Sequence, residues 1–390
     1  MIKLVTKSLR ILIYSDHFFP SIGGSENYAQ DLASELSREG HKVGVITAEK
    51  SIENDEFQFE VFRLHKPFSI KRVNVNFIEI LHIIKIFRPD VFHINYQTGG
   101  ENLLIPFLKL MRIPIFITYH ADHVVFLGKL IDEFQMATIF RLASIIMVQS
   151  EHDARKFQDR GFSKNKLKLF RFNGIDTNMY HCKTKSPVNR NSLHFLCIGR
   201  LDNEHKYKGV LELIRSMIEV RKKNKIVDVS LEIIGDGELR RSYENECKIN
   251  GMDNIKFMGN LDNEEIIASL CKTNFLILPS INNAEGFGRV ALEALSCGTP
   301  VVVSKYAGIS ELIKKYNAGI VYDPNDFNFL VNKLSEIANQ PSKIEKFISN
   351  GRKLIVGENL SLNKTTKKVV EMYNQVLEDK SLLHKSICLP

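Results

Sequence analysis

Short apolar runs recur along the chain, each closed by a glycine or a polar turn and followed by a stretch with helical spacing. They fall at residues 11–14, 42–47, 91–94, 115–118 and 145–149, then again at 195–198, 231–234, 255–257, 275–278 and 301–303. Continuous apolarity is what strands of a parallel sheet need, because helices cover both of their faces. The segments between them, such as 26–38, repeat apolar residues at intervals of three and four and so predict helices. The alternation predicts an α/β fold made of two Rossmann-like domains facing across a cleft. A polar stretch, 177–191, contains Pro187 and reads as the linker. The domain bounds are therefore 1–182 and 183–361. From Leu362 an amphipathic pattern runs on with no strand after it, so 362–390 is expected to be a helix that crosses back to the first domain.

The 390 residues, 44% of them hydrophobic, are enough for two domains with cores of their own. No apolar segment approaches the roughly 18 to 20 residues that span a bilayer, and the best, 77–87, is broken by Glu79, His82 and Lys85. Residues 9–14 are too short for a secretory signal and lead into a glycine loop. A cytoplasmic location is expected, extending to the inner face of the cell membrane. The cysteines at 182, 197, 247, 271, 297 and 388 show neither a C-x-x-C pair nor a zinc-like spacing with histidine, and they read as free thiols. The net charge of +8 is spread along the chain without interleaved aromatics, which argues against nucleic acid. An anionic membrane surface or a phosphorylated substrate suits that charge, as does an ordinary basic surface. G-x-G-x-x-G, a Walker A loop and an Asp-x-Asp pair are all absent, so neither a nicotinamide or flavin cofactor nor a metal clamp is expected.

Candidate chemistry gathers at turns after strands. Glu285-Gly286-Phe287-Gly288 follows the apolar run 275–278 and opens a predicted helix that carries Glu293. Two acids at this spacing also occur on capped surface helices. Here, however, the turn lies at a strand's carboxyl end, where glycines and a helix start let N–H groups meet a diphosphate. Arg200 and Lys208, with Lys206 as a rival, follow the run 195–198 and are placed to neutralise such a group. In the first domain, Gly23 and Gly24 join the first strand to its helix, and His120 ends the strand 115–118. A histidine there can donate to a sugar hydroxyl or a developing charge. Asp122 and His123 are candidates for contact with the acceptor, and Gly259 to Leu261 for backbone contact with a nucleobase. The turns at Asn173-Gly174 and Gly235 to Glu238 read as structural, and Ala307 to Glu311 offers another helix start.

Taken in order, these segments resemble the retaining glycosyltransferases of family 4, which have the GT-B fold. The matching set is Gly23-Gly24, Thr118-Tyr119-His120, Gln149-Ser150-Glu151, Asn173-Gly174-Ile175-Asp176, Gly199-Arg200-Leu201 with Lys208-Gly209, Gly235-Asp236-Gly237, and Glu285-Gly286-Phe287-Gly288 with Glu293-Ala294. The resemblance implies that Glu285 contacts the donor sugar, Glu293 the ribose, Arg200 and Lys208 the diphosphate, and that His120 lies beside the donor sugar. It implies a UDP-sugar donor, a saccharide or lipid-linked saccharide acceptor, peripheral membrane contact, and no metal or other cofactor. The chain departs from the family pattern in a longer loop between Arg200 and Lys208, in Ala307 and Ser310 where glycine and proline are usual, and in lacking tryptophan. A catalytically silent scaffold and a sugar-nucleotide epimerase on the same fold are the alternatives. Donor hydrolysis and product analysis with donor alone separate them.

Overall fold

The structure, a computed structural model, describes residues 8–21, 23–51, 56–65, 68–70, 73–96, 104–120, 140–183, 192–223, 228–326 and 340–387, with single positions at 138, 329, 332, 333 and 336. In chain order its first part carries β1 (Arg10–Tyr14), α1 (Gly24–Arg38), β2 (Lys42–Thr47), β3 (Glu60–Arg63), β4 (Phe68–Ile70), β5 (Val73–Val75), α2 (Phe77–Phe87), β6 (Val91–Tyr96), α3 (Ile105–Leu110), β7 (Ile115–Tyr119), β8 (Ile145–Val148), α4 (Glu151–Gln158) and β9 (Leu167–Leu169). There follow β10 (Ser192–Ile198), α5 (Val210–Lys223), β11 (Asp228–Ile234), α6 (Arg240–Ile249), β12 (Ile255–Gly259), α7 (Asn263–Lys272), β13 (Phe275–Leu278), α8 (Arg289–Ser296), β14 (Val301–Ser304), α9 (Ser310–Tyr316), β15 (Gly319–Tyr322), α10 (Pro341–Gly357) and α11 (Leu362–Ile387).

The chain divides into two compact units, Met1–Gly174 with Leu362–Pro390, and Ile175–Ser361. The first holds a seven-stranded sheet in the order β3-β2-β1-β6-β7-β8-β9, and the second a six-stranded sheet in the order β12-β11-β10-β13-β14-β15. Neighbouring strands in both are parallel. The central strands are buried along their length, as β7, β8, β13 and β14 show, because apolar clusters cover both faces of each sheet. Both sheets reverse their strand order at the centre, between β1 and β6 and between β10 and β13. A doubly wound sheet opens a crevice at that point.

In the first unit α11 lays Val369, Val370 and Tyr373 onto the same face as α1. Tyr373 is fully buried, stands edge-on to Phe116 at 4.7 Å, and is hydrogen-bonded through its hydroxyl to His93 Nδ1. His93 reaches Thr118 Oγ1 through Nε2 at 3.2 Å.

Five described strands lie outside the predicted runs: β3, β9 and β15, each at a sheet edge, and β4 and β5, which pair with each other in a separate two-stranded sheet. Residues 184–191 of the expected linker lie outside the described residues. The cysteine reading is corrected: Cys182 and Cys271 form a disulfide, with their Cα atoms 5.6 Å apart. The two are 89 residues apart, and only α7 brings them together, so spacing carried no signal.

Burial pushes His93 down to about 3 from an ordinary value of 6.5. The unfolded chain therefore takes up a proton between these limits and the folded one does not. The first unit should lose on the order of 1.4 kcal/mol of stability per pH unit as pH falls from about 6.5 toward 3. Urea midpoints measured across that range check it, and His93→Gln should flatten the slope.

Candidate functional site

In the second unit the switch point between β10 and β13 assembles a charged corner. Pairing continues past the end of β10, with Gly199 N–H donating to Ile234 O at 3.0 Å and Leu201 N–H to Asp236 O at 2.9 Å, so Arg200 is held at the sheet's carboxyl edge. Asp202 then caps the tight turn Asn203–Lys208, accepting from His205 N–H at 2.9 Å. Gly209 closes this turn at φ +68°, and a Cβ there would lie 2.2 Å from Pro279 O. Only glycine allows that approach, which sets Lys208 against the loop after β13. Ile281 N–H donates to Tyr207 O at 2.8 Å and ties the two loops together.

The outcome is an ion pair between Lys208 Nζ and Glu285 Oε2 at 3.0 Å, with side chains only 18% and 10% exposed. Ser280 Oγ donates to the same carboxylate oxygen at 3.2 Å. Burial alone would lower the Lys208 ammonium, but the charge and hydrogen bond of Glu285, with Tyr207 and Cys197 adding to them, together hold Lys208 well above its ordinary value. Burial pushes the Tyr207 hydroxyl up to about 12, against the pull of Lys208 and Arg200, and the Cys197 thiol up to about 12. His205 is lowered by burial, with Asp202 opposing and Arg200 and Lys208 adding to the shift. Both cations thus act on the same two rings. Of the rival lysines, Lys208 stands in this buried pair and Lys206 is exposed.

The turn Gly286-Phe287-Gly288 is fixed from the other side. Gly308 N–H donates to Gly286 O at 2.8 Å and Ile309 N–H to Phe287 O at 3.0 Å, which joins the starts of α8 and α9. Gly288, at φ +83°, is the N-cap of α8 and provides no side-chain cap. An anion is the natural partner for first-turn N–H groups presented this way. Glu293, one turn on, is buried and accepts from Arg289 Nε at 3.2 Å. Gly259 ends β12 with its carbonyl accepting from Gly235 N–H at 2.8 Å, and half-buried Leu261 packs on the core beneath. Both stand on the same carboxyl edge as Arg200. The Gly235 turn is structural: Arg240 clips Asp236 at 3.0 Å and donates to Phe257 O at 3.1 Å.

In the first unit the matching edge carries Gly23, Gly24 and His120. Gly23 is the extended N-cap of α1, and its carbonyl accepts from Asn27 N–H at 2.9 Å. His120 follows β7 and is buried, with Nε2 donating to Asn95 Oδ1 at 2.5 Å and the rings of Tyr28 and Phe172 at 5.2 and 5.1 Å. Asn95 Nδ2 donates to Ser15 Oγ at 2.9 Å and Ser25 O at 3.0 Å, so one amide links His120 to the glycine loop. Sequence reasoning missed Asn95, Ser15, Tyr207 and Ser280. The available signal was His93 and Asn95 two apart in an otherwise apolar strand, on one face of the sheet. Asp122 and His123 lie outside the described residues.

Two doubly wound units with these edges are the GT-B fold. The Anabaena protein HepE, in complex with UDP and glucose, aligns with a TM-score of 0.73 and 19% identity over 94% of this chain and 99% of its own. Residues 22–179 match the family described as Glycosyltransferase Family 4 and residues 182–354 that of Glycosyl transferases group 1; the chain belongs to glycosyltransferase family 4 and is a glycosyltransferase. An uncharacterised glycosyltransferase of Methanocaldococcus jannaschii is 24% identical over 386 residues, 92% of this chain and 95% of that one. The O-antigen chain mannosyltransferase C of Escherichia coli is 23% identical over 398 residues, 96% of this chain and all of that one.

Lys208→Met would leave Glu285 buried without its cation and should cost about 3–5 kcal/mol of unfolding free energy. Lys208→Met with Glu285→Gln should recover most of the loss, read from urea midpoints. Asn95→Leu should free the His120 ring and, on the expected role of His120, lower kcat at least tenfold, while far-ultraviolet circular dichroism stays unchanged.

Proposed function

We propose that the chain is a retaining, metal-independent glycosyltransferase that moves a sugar from a UDP-sugar to an acceptor hydroxyl. The observation that carries this reading is the Lys208–Glu285 pair with Arg200 nearby, at the switch point of a doubly wound sheet. A diphosphate entering there meets Lys208, Arg200 and the uncapped start of α8, and Lys208 passes from Glu285 to the phosphate oxygens. Glu285 is then released toward the donor sugar, and Glu293 serves the ribose. Gly259 and Leu261 serve the base. His120, oriented by Asn95, and the loop at Gly23 and Gly24 are assigned to the donor sugar. The bond from the anomeric carbon to the diphosphate oxygen breaks, and the acceptor oxygen bonds that carbon on the same face. The acceptor's proton passes to the departing phosphate oxygen, so no protein nucleophile is required. The cations help most as negative charge grows on the leaving group. A UDP donor is supported by HepE, whose structure holds UDP and glucose.

The acceptor is assigned to lipid-linked saccharides at the inner face of the cell membrane, in assembly of bacterial surface polysaccharide or glycolipid. Touching helices α2 and α3 carry exposed Ile78, Leu81, Ile86, Phe107, Leu110 and Met111. Exposed Lys85, Arg88, Lys109 and Arg112 accompany them, and Lys166 is lowered by burial and by the charges of Lys109 and Arg141. The acid of α2, Glu79, is held by His65 N–H at 2.9 Å and Nδ1 at 2.8 Å. Apolar side chains ringed by cations match an anionic bilayer surface.

Arg200→Ala should lower kcat by about 10²–10³ with little change in melting temperature. A chelator should leave the wild-type rate unchanged. A near-normal rate in the variant, or chelator inactivation reversed by manganese, sinks the mechanism. The protein should float with phosphatidylglycerol vesicles and not with phosphatidylcholine ones. Ile86→Asp with Leu110→Asp should abolish flotation and spare turnover on a soluble acceptor.

A further inference from the structure

The sulfur atoms of Cys182, Cys271 and Cys297 all lie within 4.8 Å of one another. Three elements of the second unit deliver them. Cys182 follows Tyr180, whose carbonyl accepts from Ser296 Oγ at 2.6 Å. Cys271 lies in α7, and its neighbour Leu270 accepts from Thr299 Oγ1 at 2.7 Å. Cys297 is the C-cap of α8, with its N–H donating to Glu293 O at 3.1 Å. The trio is therefore fastened on three sides, and the glycosyltransferase reaction makes no use of it.

We infer that, once reduced, these three thiols form a binding site for one thiophilic cation, monovalent copper being the best match. Metal–sulfur bonds of about 2.3 Å in a trigonal arrangement place sulfurs about 4 Å apart, so the Cys182 and Cys271 sulfurs, joined in the disulfide, must turn away from each other after reduction, while that of Cys297 already stands within 4.8 Å of both. Among the described residues the cluster contains sulfur alone, with no histidine or carboxylate. Soft thiolates select monovalent copper, which is content with three ligands, whereas zinc asks for a fourth. Cys297 is buried while Cys182 and Cys271 are half-buried, so the site has a closed floor and an open side for entry. In the disulfide form the site is chemically locked. A thiol or phosphine reductant must first deliver two electrons, with two protons, to the Cys182–Cys271 bond and is itself oxidised. Binding then expels the protons of the coordinating thiols.

The test uses the full chain, reduced with a phosphine, desalted without oxygen, and titrated with acetonitrile-stabilised monovalent copper against a chromogenic copper chelator. One equivalent per chain should resist the competitor, with a new thiolate-to-copper ultraviolet band. The disulfide form should retain none. Cys182→Ser, Cys271→Ser and Cys297→Ala should each weaken binding by more than the roughly 10–100-fold that loss of an outer-shell partner costs. Cys247→Ala should bind as wild type, and circular dichroism checks that each variant folds. No copper retained by the reduced wild type, undiminished binding in the triple variant, or tighter binding of zinc in a parallel titration would each overturn the assignment.

Discussion

The corner at the carboxyl edge of the second unit's sheet depends on one buried ion pair. Lys208 and Glu285 belong to loops after different strands, and a charge as little exposed as either needs its partner close by. The path of the backbone is set accordingly. Gly209 lets one loop touch Pro279, Tyr207 and Ile281 join the loops by a main-chain bond, and Ser280 donates to the same carboxylate oxygen. The pair keeps a cation ionised and waiting in a partly dry corner. In the proposed reaction an incoming diphosphate would meet an arranged charge in place of one that must first be drawn from water.

The first unit buries polar groups by linking them to one another. His93, Thr118, Asn95, His120 and the hydroxyl of Tyr373 run through the interior as a hydrogen-bonded series. Buried polar groups are costly unless satisfied, and a satisfied series fixes each ring and amide in one orientation. Asn95 shows this best, since one side chain spans Ser15, Ser25 and His120 and so relates the glycine loop to the end of β7.

The strands covered on both faces were legible because burial demands continuous apolar runs, as in 115–118 and 301–303. Edge strands such as β3, with Glu60 exposed at its start, and the three-residue β9 escape that reading because one side lacks a neighbouring strand. Glu285, Arg200 and the glycine turns were legible from their position after strands. The pairing of Lys208 with Glu285 was not, because it rests on the left-handed turn at Gly209 and its close approach to Pro279, residues far apart in sequence. Asn95 was hidden for the opposite reason: it sits inside a strand, where reading for apolarity passes over a polar residue. The Cys182–Cys271 bond needed the tertiary arrangement of α7 to be seen at all.

The return of α11 to the first unit bears on the order of events at the ribosome. Val369, Val370 and Tyr373 are part of the same core as β1 and α1, yet they are made some 330 residues later. The amino-terminal half, though synthesised first, emerges with a gap in its wall and His93 lacking its tyrosine. The second unit has its described strands between Ile175 and Ser361 and draws on nothing made after them. A nascent polypeptide stalled before Leu362 would therefore leave uncovered the core around β1 and α1, the part of the first unit that was made earliest.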